Sequence, residues 1–64
     1  RRYLMKLWEY INKDVRIILS DGTSVAGKVS DWFDGYDIDG EDEIVIDNQS
    51  YSEDNIKQIE IIST

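Results

Sequence analysis

Three features of the sequence predict a mainly β fold, in which a short N-terminal α-helix precedes a strongly bent sheet of five strands that closes on itself. Apolar and polar residues alternate from Val15 onward, an Asp-Gly pair joins two such runs, and Gly27 sits inside the second run. Alternation with period two places successive side chains on opposite faces of a strand. A glycine within a strand has no side chain to pack, so it marks a sharp bend or the close approach of another backbone.

Residues 3–11, YLMKLWEYI, place Leu4, Leu7, Trp8 and Ile11 at the i, i+3, i+4, i+7 spacing of one helical face. A helix this short is marginal alone in water. Its apolar face is therefore expected to dock over the open end of the sheet. Polar residues 12–14 end the helical period. In the first strand Val15, Ile17 and Leu19 share one face, while Arg16, Ile18 and Ser20 share the other. Asp21-Gly22 then reads as a hairpin turn, because Gly22 accepts the positive φ such turns require. The second run points Val25, Gly27 and Val29 inward, and Phe33 is expected to continue that face while Trp32 packs against the helix or Trp8. Gly22 and Gly27 are thus the residues that define the fold.

Residues 31–43 hold seven carboxylates, two glycines and no basic residue, which predicts an extended, mobile loop or hairpin tip. Residues 43–47 resume a strand with Ile44 and Ile46 on one face. Residues 48–52 give a turn and at most a short polar strand, residues 52–55 a single helical turn with Ser52 at its cap, and residues 56–62 a closing strand carrying Ile56, Ile59 and Ile61.

The 64 residues, with no cysteine and no histidine, read as one domain whose small core has neither a disulfide nor a structural zinc to brace it. That favours association with another chain. Fourteen acidic against seven basic residues give a formal charge of −7, a field that repels phosphate backbones and makes nucleic acid a disfavoured partner. No apolar run approaches the roughly 20 residues that span a bilayer, and no stretch has the succession of a signal peptide, so no membrane partner and a cytoplasmic location are expected.

Catalytic chemistry finds no support in the sequence. The usual nucleophile and acid-base constellations need His or Cys, and no Ser, Thr or Lys lies in an activating motif. The stretch SDGT lacks the glycine run, lysine and following helix of a phosphate cradle. DIDG suggests part of a calcium loop, yet setting Gly40 at its sixth position puts Gly35 and Ile46 where the first and last carboxylates belong. Neither an enzyme, a metal site nor a cofactor is expected.

The succession Val15, Ile17, Leu19, Gly22, Val25, Gly27, Val29 after an N-terminal helix resembles the first signature of Sm-like (LSm-type) proteins. The resemblance implies a strongly bent five-stranded barrel capped by a helix; the same spacing also occurs in other SH3-like barrels. The RNA-contacting motifs of the family do not carry over. After the bent strand the family has an Asp-x-x-hydrophobic-Asn pattern, where this chain reads DGYDI from Asp34. Before the last strand the family has an Arg-Gly pair, where this chain reads SEDNI. No RNA-contact residue is transferred.

The expected function is a non-enzymatic interaction or assembly module that binds a protein partner or self-associates through its last strand; the alternative is an RNA-binding Sm-like protein with diverged contacts. Within the acidic tract Trp32 and Tyr36 are candidate anchors, and Asp37, Asp39, Glu41 and Asp42 are candidate partner-facing charges.

Overall fold

The computed structural model of the protein describes residues 5–38 and 40–63, without the side chains of residues 37 and 38. Five antiparallel strands form one sheet in the order β4-β3-β2-β1-β5. They are β1 (Asp14–Leu19), β2 (Ser24–Phe33), β3 (Glu43–Ile46), β4 (Gln49–Ser52) and β5 (Ile56–Ser63). No β4–β5 ladder is present among the described residues, so those two strands are the edges of the sheet.

The long strand β2 serves two partners in succession. Ser24 to Lys28 pair with β1, and Val29 to Phe33 pair with β3. The sheet thus has two halves, and one core cluster draws Val15 and Ile17 from the first, Ile44 and Ile46 from the second, and Leu7, Val29 and Ile56 from around them. The buried residues of both halves meet in that one cluster across β2, which pairs with a strand of each. Gly27 lies next to the point where β2 changes partner, and a Cβ built there would stand 2.7 Å from Ile46 Cγ2. The sequence predicts a bend or another backbone at this glycine; what comes close is a side chain, the Ile46 methyl group of β3. Where the β1 pairing ends at Lys28, the N-terminal segment takes over, with Asn12 N–H donating to the Val29 carbonyl at 2.8 Å and Val29 N–H to the Lys13 carbonyl at 3.0 Å.

The β1–β2 connection closes as the Asp-Gly pair predicts. Gly22 N–H donates to the Leu19 carbonyl at 2.9 Å and Leu19 N–H to the Thr23 carbonyl at 2.8 Å, with Gly22 at φ 89°. This is a three-residue loop ending in a left-handed glycine. The β3–β4 turn uses a different device: Asp47 (φ 52°) and Asn48 (φ 66°) both lie in the left-handed region between the paired residues Ile46 and Gln49. Two such residues match the twist of the flanking strands, and Asp and Asn tolerate the region better than most side chains.

Three expectations need correction. Among the described residues the N-terminal helix is only a 3-10 turn, Leu7–Tyr10; Leu4 lies outside the described residues. The helix cannot run on because Ile11 bridges to Val29 and Asn12 turns left-handed at φ 68°. Leu7 is nonetheless fully buried and Ile11 packs on the core. Second, the acidic tract is not an extended loop. Asp31 to Phe33 belong to β2, Glu43 opens β3, and between them a short helical turn, Gly35–Ile38, is closed by Gly40 N–H on the Gly35 carbonyl at 2.9 Å.

Third, Phe33 does not continue the inward face. The register runs Val29↔Ile46 and then Asp31↔Val45, so Ser30 is an extra residue in β2, a β-bulge. Its hydroxyl donates to the Val45 carbonyl at 3.3 Å. The bulge exchanges the two faces beyond it: Trp32, paired with Ile44, packs on the core, and Phe33, paired with Glu43, is 41% exposed. A second bulge explains the uneven spacing of the last strand. Leu19↔Ile56 and Ile18↔Gln58 leave Lys57 extra, so Ile56 is buried and Ile59 packs on the core despite opposite parity. The 3-10 turn before it, Glu53–Asn55, falls where the sequence predicts it, although the Ser52 hydroxyl donates to Asp54 Oδ1 at 2.7 Å and makes no cap to the backbone.

Candidate interaction surface

The acidic tract divides into residues that hold the fold and residues that meet solvent. Asp42 is fully buried. Its Oδ1 accepts the Gly35 N–H at 2.8 Å, and its carbonyl accepts the Glu53 N–H at 2.8 Å. Asp42 therefore ties the helical turn to the β4–β5 connection, and its assignment to a partner-facing surface does not stand. Glu53, also buried, extends this tie by accepting the Met5 N–H on Oε2 at 2.8 Å. A carboxylate that accepts backbone N–H groups in the interior supplies charge-assisted bonds that a neutral side chain would make more weakly. Nothing in the charge pattern distinguishes these two buried carboxylates from their exposed neighbours.

Trp32 is half-buried. Its ring lies 5.7 Å from that of Trp8 at 64°, an edge-to-face contact, and its Nε1 is buried without an acceptor among the described residues. Most of its surface is committed to the fold, as the expected Trp8 contact implies, and little of the ring is offered to a partner. Tyr36, 67% exposed, and Glu41, exposed, are presented to solvent. The side chain of Asp37 and all of Asp39 lie outside the described residues.

Phe33, absent from the candidate residues, takes the place expected of Trp32. Beyond the Ser30 bulge the outward face of β2 carries Asp31 and Phe33, paired in β3 with Val45 and Glu43, and these in turn with Ser50 and Ser52 of β4. Asp31 also folds back on the chain, accepting the Trp32 N–H at 2.8 Å. The half-sheet is electrostatically one-sided. From Val29 to Ile56 the sequence holds ten Asp and Glu and no Lys or Arg, whereas the rest of the chain holds four acidic and all seven basic residues. In the β1–β5 half charge is paired, as in the Arg16 to Glu60 contact of 3.1 Å.

Among the described residues no group of three or more carboxylates is arranged to hold a metal ion, and no helix is long and apolar enough to cross a membrane. Asp21, in the β1–β2 turn, has its carboxyl held below the usual range, chiefly by the Thr23 backbone N–H and then by the Thr23 hydroxyl; this is turn chemistry at a fully exposed site. Comparison with family models, curated proteins and solved structures finds no match.

Proposed function

We propose that the chain is a Sm-like member of the SH3-like barrel architectures and works, without catalysis, as a protein-interaction and assembly module. The long second strand that passes from one partner to the other beside Gly27, the strand order, and the 3-10 turn ahead of the last strand support that reading of the fold. The observation that carries the function is the pair of unmatched sheet edges.

Edge strands present a row of unpaired backbone groups that natural proteins cover, twist away or use. Here the outer strand β5 has extra residues at Lys57 and Ile62, near its two ends, and a regular stretch, Gln58 to Ile61, between them. That stretch matches the four residues of β4 in length. Ile61 pairs with fully buried Val15 on the core face yet is 45% exposed at this edge. A second copy that adds its β4 there covers Ile61 and completes the backbone bonds of both edges. Charge favours the same arrangement, since β4 lies in the acidic stretch from Val29 to Ile56, while the strands of the other half carry Arg16, Lys28 and Lys57.

Light scattering at tens of micromolar tests this. The expected mass is a multiple of 7.5 kDa, reduced to that of one chain by Ile61→Lys with little change in thermal unfolding of the isolated chain. A strict monomer under those conditions defeats the assembly reading. Anisotropy with short single-stranded RNA at low salt is expected to show no binding; tight binding would favour the RNA-binding alternative.

A further inference from the structure

We propose that the outward face of the β2–β3 half-sheet, centred on Phe33 and Val45, is a docking surface for an extended, arginine- or lysine-containing segment of a partner protein. The inference rests on the interaction-module reading and names the chemistry of one partner.

The bulge at Ser30 is the structural cause. Without it Phe33 would fall on the inner face and Trp32 on the outer; with it a large aromatic side chain stands 41% exposed beside half-buried Val45. The surroundings select what can cover it. Asp31 and Glu43 flank the apolar pair through the ladder, while Glu41 and Tyr36 are presented by the adjoining segment, Tyr36 with two thirds of its surface open. Between Val29 and Ile56 the chain supplies no cation of its own. An apolar or anionic partner would leave these carboxylates uncompensated and partly desolvated on contact. A phosphate backbone is repelled.

A basic segment satisfies both parts of the surface. Its guanidinium or ammonium groups pair with Asp31 and Glu43, and the same groups, or their methylene stems, lie over Phe33, where the ring quadrupole attracts a cation. Long-range attraction to the acidic half would speed encounter and make it salt-dependent. Ser50 and Ser52 of β4, next along the ladder, are small and polar and give an extended chain room to cross the strands.

The test uses the intact chain and a fluorescein-labelled dodecapeptide of alternating arginine and alanine, with the glutamate-alanine peptide as control. Anisotropy at low salt is expected to show binding of the arginine peptide alone. Phe33→Ser should weaken it roughly three- to fivefold, the loss of a cation–π contact. Asp31→Asn with Glu43→Gln should weaken it about tenfold at low salt and less at high salt. Ile62→Ser, at the far end of β5, should leave it unchanged. Each variant is first shown to keep its urea midpoint; if Phe33→Ser lowers it, Phe33→Leu, which keeps apolar area and removes the ring, replaces it.

Absence of peptide binding at low salt overturns the proposal. So does a loss from Asp47→Asn with Asp54→Asn equal to that from the Asp31 and Glu43 pair, since binding would then follow total charge and not this face. The outcome separates from that of the assembly reading. A chain that self-associates but ignores the peptide defeats the docking surface alone, and a monomer that binds the peptide defeats the assembly alone.

Discussion

The two halves of the sheet share β2 but solve the same packing problem with different means. In the β1–β5 half, regular alternation sends Val15 and Ile17 inward, one glycine closes the hairpin, and Arg16 and Glu60 pair across the outer face. In the β3–β4 half the inner face is as well buried, with Ile44 and Ile46 fully covered, yet it depends on a bulge, a two-residue left-handed turn and a buried carboxylate. The first half keeps its bulges, at Lys57 and Ile62, on the outer strand β5, where they leave the Val15 and Ile17 face of β1 unchanged. In the second half the bulge falls within β2 itself and turns Phe33 to the outer face, so the same backbone device has different consequences in the two halves.

The harshest way to break this arrangement is at the junction. Gly27→Val should destabilise by about 2–3 kcal/mol or prevent folding, because the new Cβ starts 2.7 Å from Ile46 Cγ2 and an overfilled site must shift backbone. Urea unfolding followed by tryptophan fluorescence measures it. Combining Gly27→Ala with Ile46→Ala should cost less than the two changes separately, since the second removes the atom that the first would strike. A loss below about 0.5 kcal/mol for the valine variant would mean that the halves do not meet there.

Next in size is the buried carboxylate of the second half. Asp42→Ala leaves the buried Gly35 N–H without its acceptor and should cost about 1–3 kcal/mol. Its exposed neighbour Glu41→Ala should stay within about 0.5 kcal/mol. Equal effects would show that the tract is uniformly solvated. In the β3–β4 turn Asn48→Gly should stabilise by about 0.5 kcal/mol, because glycine holds φ 66° without a Cβ penalty. A loss of stability would show that the Asn48 side chain matters beyond its dihedral.

The smallest effect belongs to the first half. Because the Asp21 carboxyl is held below its ordinary value in the folded state, its contribution is present above the unfolded pKa and is lost as pH falls through the folded one. Nuclear magnetic resonance titration should place the Asp21 midpoint below the ordinary aspartate value, and Asp21→Asn should change stability near neutral pH but lose its effect in strong acid. A midpoint at or above the ordinary value would contradict the turn geometry.

Much of this architecture is legible in the sequence because it follows from periodicity and glycine. Val15, Ile17 and Val29, the turn at Gly22, the close approach at Gly27, the Ile44 and Ile46 face and the helical turn after Ser52 all fall where pattern puts them. What pattern does not carry is parity after an insertion. Ser30 looks like any outward strand residue, so nothing in Val29-Ser30-Asp31 announces that Trp32 and Phe33 exchange faces. Charge density misleads in the same way: Asp42 and Glu53 sit among exposed acids, and only the backbone N–H groups that the fold brings to them, those of Gly35 and Met5, separate them from their neighbours. The N-terminal spacing does bring Leu7 and Ile11 to the core, but Ile11 bridges to Val29 and the segment forms only a 3-10 turn.

The bulge at Ser30 is the hinge of the whole account, and cross-strand nuclear Overhauser contacts between β2 and β3 test it most directly. The backbone protons of Asp31 should contact those of Val45, and those of Phe33 should contact those of Glu43, with the Trp32 indole near Trp8. Contacts of Asp31 with Ile44 and of Phe33 with Asp42 would show an uninterrupted ladder, return Phe33 to the interior and remove the outward aromatic face.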